Sequence, residues 1–252
     1  MKKSLRVLAP LAAAAVPLAF AAGPALADSG ASYQATLNPI NHQTGSGMLM
    51  LTLNGDTATI DESWSGLAAS FNGGAYPHVQ HIHIGAKGLC PTMAADKNGD
   101  GIVSTTEGAP SYGGIGTTLS TNGDTSPAAG TNIKIAPAGG STSYHRVIRL
   151  DPKVVSALQG GTAVIVVHGD DPATLSAKAQ KEKSDLVPTL PLAATSPALC
   201  GTVHAMPAGG VATGTGSTAG VEDSALLALA GGLFVAGAGT ALFTVRRKTV
   251  KA

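Results

Sequence analysis

The chain has 252 residues, 33 of them glycine, and a formal net charge of +1. Its positive charge is concentrated near the two ends: residues 28–205 carry 9 Lys and Arg against 13 Asp and Glu, so their net charge is 9 − 13 = −4. A central region of negative charge argues against nucleic acid and anionic lipid as its partners. Its length is that of one domain.

The first 27 residues have the pattern of a secretory signal peptide. Three basic residues precede an apolar stretch over residues 7–22, and Ala25-Leu26-Ala27 has the small-residue form of a cleavage site. We therefore predict that residues 1–27 are removed and that the mature chain works outside the cell.

Short runs of β-branched and apolar residues alternate with turn residues throughout residues 28–205, which favours an all-β sandwich or barrel. The expected strands are 33–37, 48–53, 57–64, 79–84, 132–135, 145–150 and 162–168. Asn54-Gly55-Asp56 is a hairpin signal between two of them. Asp61 and Glu62 point to opposite faces of their strand, and both are expected to be exposed charges.

Histidines are clustered at His78, His81 and His83. On a strand over residues 79–84, His81 and His83 share one face with their Cα atoms about 6.6 Å apart. Two imidazoles at that spacing can bind one metal ion if a third ligand comes from elsewhere, and imidazole suits copper or zinc. His168 ends a later strand, and His145 is a candidate for a fourth ligand.

Cys90 and Cys200 are the two cysteines of the chain. In an exported protein such a pair is expected to form a disulfide. It closes a loop of about 110 residues, for which chain entropy predicts roughly 4.7 kcal/mol of stabilisation.

Residues 96–107 fit the twelve-residue calcium loop of EF-hands, with Gly101 at the position of the sharp turn. The residues at the ligand positions are Asp96, Asn98, Asp100, Ile102, Ser104 and Glu107. Gly108 and Pro110 follow at once, so no flanking helix is expected. We predict one isolated structural calcium site with a dissociation constant of about 10⁻⁴ to 10⁻³ M.

One short helix and one long loop complete the domain. Asp151 can cap the helix, Pro152 suits its first position and Gly160 its end. Residues 169–199 contain a charged stretch followed by proline-rich coil. We expect this segment to be an exposed loop that returns to a strand near Cys200.

The end of the chain has the layout of a membrane anchor. A linker over residues 206–224 precedes the uncharged segment 225–245, whose 21 residues span about 31 Å as a helix. The tail 246–252 is basic, as cytoplasmic ends are. This layout resembles the sorting tail of Gram-positive surface proteins, although the residues before Thr213-Gly214 depart from the usual Leu-Pro-x motif. We predict attachment to the membrane, or to the cell wall after sorting.

Taken together, these motifs resemble the copper-zinc superoxide dismutase superfamily and the CHRD (chordin-repeat) domains, across most of residues 28–205. The matching segments are His78 to His83 with Gly85, Cys90, Val166-Val167-His168 with Asp170-Asp171, and Cys200-Gly201-Thr202-Val203, to which Trp64-Ser65-Gly66-Leu67 adds a CHRD feature. The resemblance implies a Greek-key β-sandwich, immunoglobulin-like or dismutase-like. Its disulfide is Cys90–Cys200, and the calcium loop is an insertion.

The resemblance also implies a ligand set. His81, His83 and His168 correspond to copper ligands, and His78 to a structural residue that braces a loop. Zinc is not expected, because the family's bridging and zinc histidines follow the first cysteine, where this chain has none before Ser143. Pro197 stands where the family has an arginine that guides superoxide.

Two functions follow from these features. The first is an exported, surface-anchored copper-binding domain of dismutase type, with weak superoxide dismutase activity. The second is a non-catalytic CHRD-type surface module, stabilised by calcium, that contacts wall material or partner proteins. The sequence names no protein partner. We also expect calcium to order the region that zinc orders in the dismutase family.

Overall fold

The computed structural model describes residues 30–207, whose regular secondary structure is mainly β-strand. The strands are β1 Ala31–Pro39, β2 Ser46–Asn54, β3 Thr57–Ser65, β4 Ser70–Phe71, β5 Gly74–Ala75, β6 Gln80–Ile84, β7 Gly114–Thr118, β8 Ser141–Arg149, β9 Val164–His168, β10 Pro197–Thr202 and β11 His204–Ala205. The two α-helices are α1 Thr105–Tyr112 and α2 Pro152–Gln159.

One curled antiparallel sheet contains nine of these strands. Its order is β7-β6-β9-β10-β1-β2-β3-β8, and β11 also pairs with β1. The first half of the sheet contains β2, β3 and β8, and the second half contains β7, β6, β9 and β10. Strand β1 joins the two halves, because residues 31–37 pair with β2 while Asn38 and Pro39 pair with β10. Strands β4 and β5 form a separate small hairpin.

Apolar side chains from both halves of the curled sheet form one core. Members from the first half include Leu49, Leu51, Ile60 and Trp64, and members from the second include Ile82, Ile165, Val167 and Leu199. They alternate along their strands with residues on the opposite face, as the period of two requires. Helix α2 packs Val154 and Leu158 onto the same core. Its predicted cap is present, since the Asp151 side chain accepts a hydrogen bond from the backbone N–H of Lys153.

Strands β6 and β9 are buried on both faces. Beyond the main core, Val164 and Val166 of β9 pack with Tyr112 and Cys200 in a second apolar cluster. The predicted disulfide between Cys90 and Cys200 is confirmed and lies beside this cluster.

The expectation for Glu62 was wrong. Glu62 lies on the inward face of β3 in phase with Ile60 and Trp64, and only 3% of its surface is exposed. Neither carboxyl oxygen has a hydrogen-bond partner among residues 30–207. Burial raises the pKa of Glu62 to about 8. Asp61 faces outward as expected and contacts His145.

Two expected elements differ in the structure. The segment 132–135 is a single 3₁₀ turn, because the Asn132 side chain accepts a hydrogen bond from the Lys134 N–H and stabilises a turn rather than a strand. The segment 169–199 is not an exposed loop. Four of its apolar residues pack against Ile102 in a small third cluster, namely Leu175, Ala179, Leu192 and Ala193. Its charged residues conceal this apolar spacing in the sequence.

The predicted signal peptide 1–27, membrane helix 225–245 and basic tail 246–252 lie outside the described residues, as does the linker beyond Pro207. Among residues 30–207, no helix is long and apolar enough to cross a membrane.

Candidate metal centre

Three buried histidines from two adjacent strands come together in the second half of the sheet. His81 and His83 lie on β6, and His168 lies at the end of β9, which pairs with β6. The ring centroids are 5.4 Å apart for His81 and His83, 5.1 Å for His81 and His168, and 5.8 Å for His83 and His168. One potential ligand nitrogen of each ring lies within 4.8 Å of those of the other two. This group can therefore hold a metal ion.

Each of these rings is oriented by a backbone carbonyl from a different segment. The contacts are His81 Nε2 to the Gly130 oxygen at 3.0 Å, His83 Nδ1 to the Gly113 oxygen at 3.0 Å, and His168 Nδ1 to the Thr195 oxygen at 2.8 Å. A carbonyl oxygen only accepts hydrogen bonds, so each contacting nitrogen must carry the proton and donate it. The other nitrogen of each neutral ring then offers its lone pair.

The nitrogens left over are buried and have no hydrogen-bond partner within residues 30–207. They are His81 Nδ1, His83 Nε2 and His168 Nε2. A buried acceptor without a partner costs about 1–3 kcal/mol, and three at one place are not expected unless something satisfies them. A metal ion satisfies all three at once.

The electrostatic environment keeps the three rings neutral. Burial lowers the pKa of His83 to about 3 and that of His168 to about 4, and the neighbouring His168 ring reinforces the effect at His83. Burial also lowers the pKa of His81 well below its usual value. Because a metal ligand must be unprotonated, these rings are ready to bind without first losing a proton. The donor set of three imidazoles suits copper and zinc.

Helix α1 positions His83. The helix ends at Tyr112, whose ring lies edge-on to His83 with the centroids 4.6 Å apart, and the carbonyl of the next residue, Gly113, accepts the hydrogen bond from His83. Gly113 has φ of 93°, and an added Cβ would lie 2.0 Å from the Ile84 oxygen, so only glycine fits. The helix end is thereby held against β6.

The segment that follows β9 positions His168. The Thr195 carbonyl accepts from His168 Nδ1 and also from the Thr105 hydroxyl at 2.5 Å. The Thr195 hydroxyl in turn contacts the Ser184 hydroxyl at 2.7 Å. The carbonyl groups of Gly113, Gly130 and Thr195 could not be predicted as partners of the rings from the sequence, because every residue carries a backbone carbonyl.

The other histidines of interest lie outside this cluster. His78 contacts the carbonyl oxygens of His168 at 2.9 Å and Ala68 at 3.0 Å, so it connects the start of β6 to the end of β9. His145 lies on the outward face of β8 and contacts Asp61 at 2.6 Å. The structure therefore does not bring His145 to the centre as a fourth ligand.

A pocket of about 310 Å³ opens onto the three rings. Its remaining lining residues are Val79, Thr105, Thr106, Ala109, Gly113, Gly114, Ile115, Gly130, Thr131, Leu186 and Thr195. Within residues 30–207, no lysine, arginine, aspartate or glutamate lines this pocket. The three buried rings form part of the wall of this pocket.

In the acidic loop 96–107, the carboxylates form hydrogen bonds with the backbone N–H groups of the loop itself. The carboxylates of Asp96, Asp100 and Glu107 accept hydrogen bonds from backbone N–H groups of the loop, at 2.8 to 3.0 Å for the Gly101, Ile102 and Lys97 amides. Among residues 30–207 the three histidines are the one group of three or more His, Cys, Asp or Glu side chains whose ligand atoms converge.

The expectation that no helix flanks this loop was wrong. Helix α1 begins directly after Ser104, which forms a reciprocal capping box with Glu107. Pro110 lies inside the helix and cannot donate a backbone hydrogen bond. The capping box and the burial of Tyr112 offset that loss. The acidic loop is consequently continuous with the helix that positions His83.

A comparison of the chain with protein-family models finds no match, and a comparison with curated proteins finds no significant match.

Proposed function

We propose that this protein is an exported copper-binding domain of dismutase type, held at the cell surface by its C-terminal segment. The observation that carries the proposal is the convergence of three neutral, buried imidazoles, each with one free nitrogen. No other group in residues 30–207 offers a comparable set of ligands. Copper is preferred to zinc because the order of the motifs resembles that of the dismutase copper site.

The fold supports the same assignment. The two halves of the sheet enclose one core, and the strands that carry the histidines lie next to each other in one half. The disulfide joins the segment after β6 to β10. A Greek-key β-sandwich of the superoxide dismutase or CHRD superfamily has these features, and we assign the domain to that superfamily.

Bound copper supplies one-electron redox chemistry at such a site. The chain's own residues hold the ion through His81, His83 and His168, fix each ring through a backbone carbonyl, and leave one side open to the pocket. Because no cationic side chain lines the described pocket, a small anion receives little electrostatic guidance. Turnover of superoxide is therefore expected to be slow.

Copper binding is tested by metal analysis of the purified mature chain after copper is offered. We expect one copper per chain, and a loss of affinity on the order of 100-fold or more in His83→Ala, because removing a ligand costs at least as much as removing a supporting contact. His145→Ala is the matched control and should bind like the wild type, since that ring faces outward. Equal copper affinity in all three proteins would overturn the proposal.

A superoxide assay on the copper-loaded protein then separates an enzyme from a copper holder. The pocket without charged walls favours the second candidate function, a non-catalytic CHRD-type surface module. Copper binding without superoxide turnover would support a holder, whereas absence of copper binding would leave the surface module alone.

Calcium binding at residues 96–107 is a separate part of the proposal. It is supported by the EF-hand spacing and by helix α1, which begins within the last three residues of the loop. The loop contacts the segment after β9, since the Ser176 hydroxyl donates to the Asp100 carbonyl. Calcium would hold both segments together.

Removal of calcium should loosen residues 91–120. With calcium at 100 times its dissociation constant, we expect chelation to speed amide exchange there on the order of 100-fold, as ligand linkage requires. Hydrogen exchange measured with and without a chelator checks this, with β2 and β3 as internal references. Glu107→Gln should abolish the response, and Asp124→Asn, outside the loop, should retain it. Unchanged exchange on chelation would count against the calcium site.

A further inference from the structure

The pocket above the three histidines is much larger than a small inorganic substrate requires. Its volume is about 310 Å³. A water molecule occupies about 30 Å³ in the liquid, so the pocket has room for about ten non-hydrogen atoms. A diatomic anion would fill only a small part of it.

The walls of the pocket select against ions. Val79, Ala109, Ile115 and Leu186 contribute carbon surface, and the walls contain no lysine, arginine, aspartate or glutamate within the described residues. A charged ligand would lose its hydration here without gaining a counter-charge. A neutral ligand with an apolar body would gain from leaving water.

The three histidines that line the pocket favour a ligand with an atom that can coordinate a metal ion. Their free nitrogens are buried and without partners among residues 30–207. Three protein ligands would leave a bound metal ion with a coordination position open, and the pocket provides space beside the three rings. A ligand that fills the pocket would then lie next to the ion.

We propose that this pocket binds a neutral, largely apolar molecule of about ten non-hydrogen atoms, with one nitrogen or phenolic oxygen that would coordinate the bound metal ion. This inference rests on the proposed copper site. Leu186 lines the pocket, and 52% of its surface is exposed, so its side chain is available to a bound molecule. We assign it the role of contacting the apolar body of the ligand.

The test compares two probes that share one donor group. Copper-loaded mature chain is titrated with imidazole and with 4-phenylimidazole, while the visible and electron paramagnetic resonance spectra of the copper are followed. Both probes coordinate through nitrogen, and only the second has a ring to bury. We expect 4-phenylimidazole to bind at least about tenfold more tightly, because burying a phenyl ring removes a large apolar area from water.

Two variants test whether Leu186 contacts the bound phenyl ring. Leu186→Ala should reduce the advantage of 4-phenylimidazole several-fold and leave imidazole binding unchanged. Leu89→Ala is the matched control, because Leu89 is 55% exposed and lies outside this pocket, and it should behave like the wild type. Since both positions are exposed, neither substitution should unfold the protein.

The outcomes separate the two proposals. Equal affinity for the two probes would overturn the proposed apolar ligand site and leave the copper site intact. An advantage that Leu186→Ala and Leu89→Ala reduce equally would also overturn it. Failure of the protein to bind copper would overturn both, because the proposed ligand is defined by its bond to the metal.

Discussion

Replacing both cysteines with alanine will lower the free energy of unfolding by about 4–5 kcal/mol. The disulfide joins residues that are 110 positions apart, so its loss frees a long loop in the unfolded chain. Domains have total stabilities of only about 5–15 kcal/mol, and the variant is therefore expected to be marginal. Cys200 is buried beside Val164 and Val166, and alanine keeps that cluster apolar.

Urea unfolding of the metal-free protein at pH 7 measures this effect. Wild-type protein under reducing conditions serves as the second form without a disulfide and should agree with the variant. Copper stoichiometry under native conditions should not change, because β9 holds His168 through its pairing with β6. An unfolding free energy equal to that of the wild type would contradict the expected contribution of the disulfide.

Glu62→Gln will stabilise the protein increasingly as the pH rises. The folded-state pKa of Glu62 is raised from 4.5 to about 8, because its carboxyl group is buried. Below pH 4.5 both states are protonated. Between pH 4.5 and 8 only the unfolded state has released the proton, so stability falls as the pH rises. Each pH unit costs about 1.4 kcal/mol, and glutamine, which does not titrate, avoids this cost.

The measurement compares wild type and Glu62→Gln in urea at pH 5 and pH 8. The advantage of the variant should grow by about 4 kcal/mol between these values. Other titrating groups, including the buried histidines, are present in both proteins and cancel in the difference. Asp61→Asn is the matched control, because this exposed neighbour faces the opposite side of β3. A pH-independent difference would show that Glu62 is ionised in the folded protein.

Elements with a local signal were predictable from the sequence. The alternating residues of β2 and β3 and the capping residues of α2 are where the sequence indicates. Strand β7 was not predicted, because Gly-Ile-Gly-Thr-Thr has no alternating pattern and becomes a strand only by pairing with β6. Glu62 shows the opposite case, since its charge predicts exposure while the phase of β3 places it inside.

The amino-acid sequence alone indicates which residues are available to the candidate metal centre. Two histidines two residues apart on a strand share a face, and the only two cysteines of the chain are the ones that pair. Which nitrogen of each ring is free becomes clear only in the folded protein. That choice depends on the carbonyls of Gly113, Gly130 and Thr195, which reach the rings from separate segments. A backbone carbonyl is common to all residues, so its role appears only when the chain is folded.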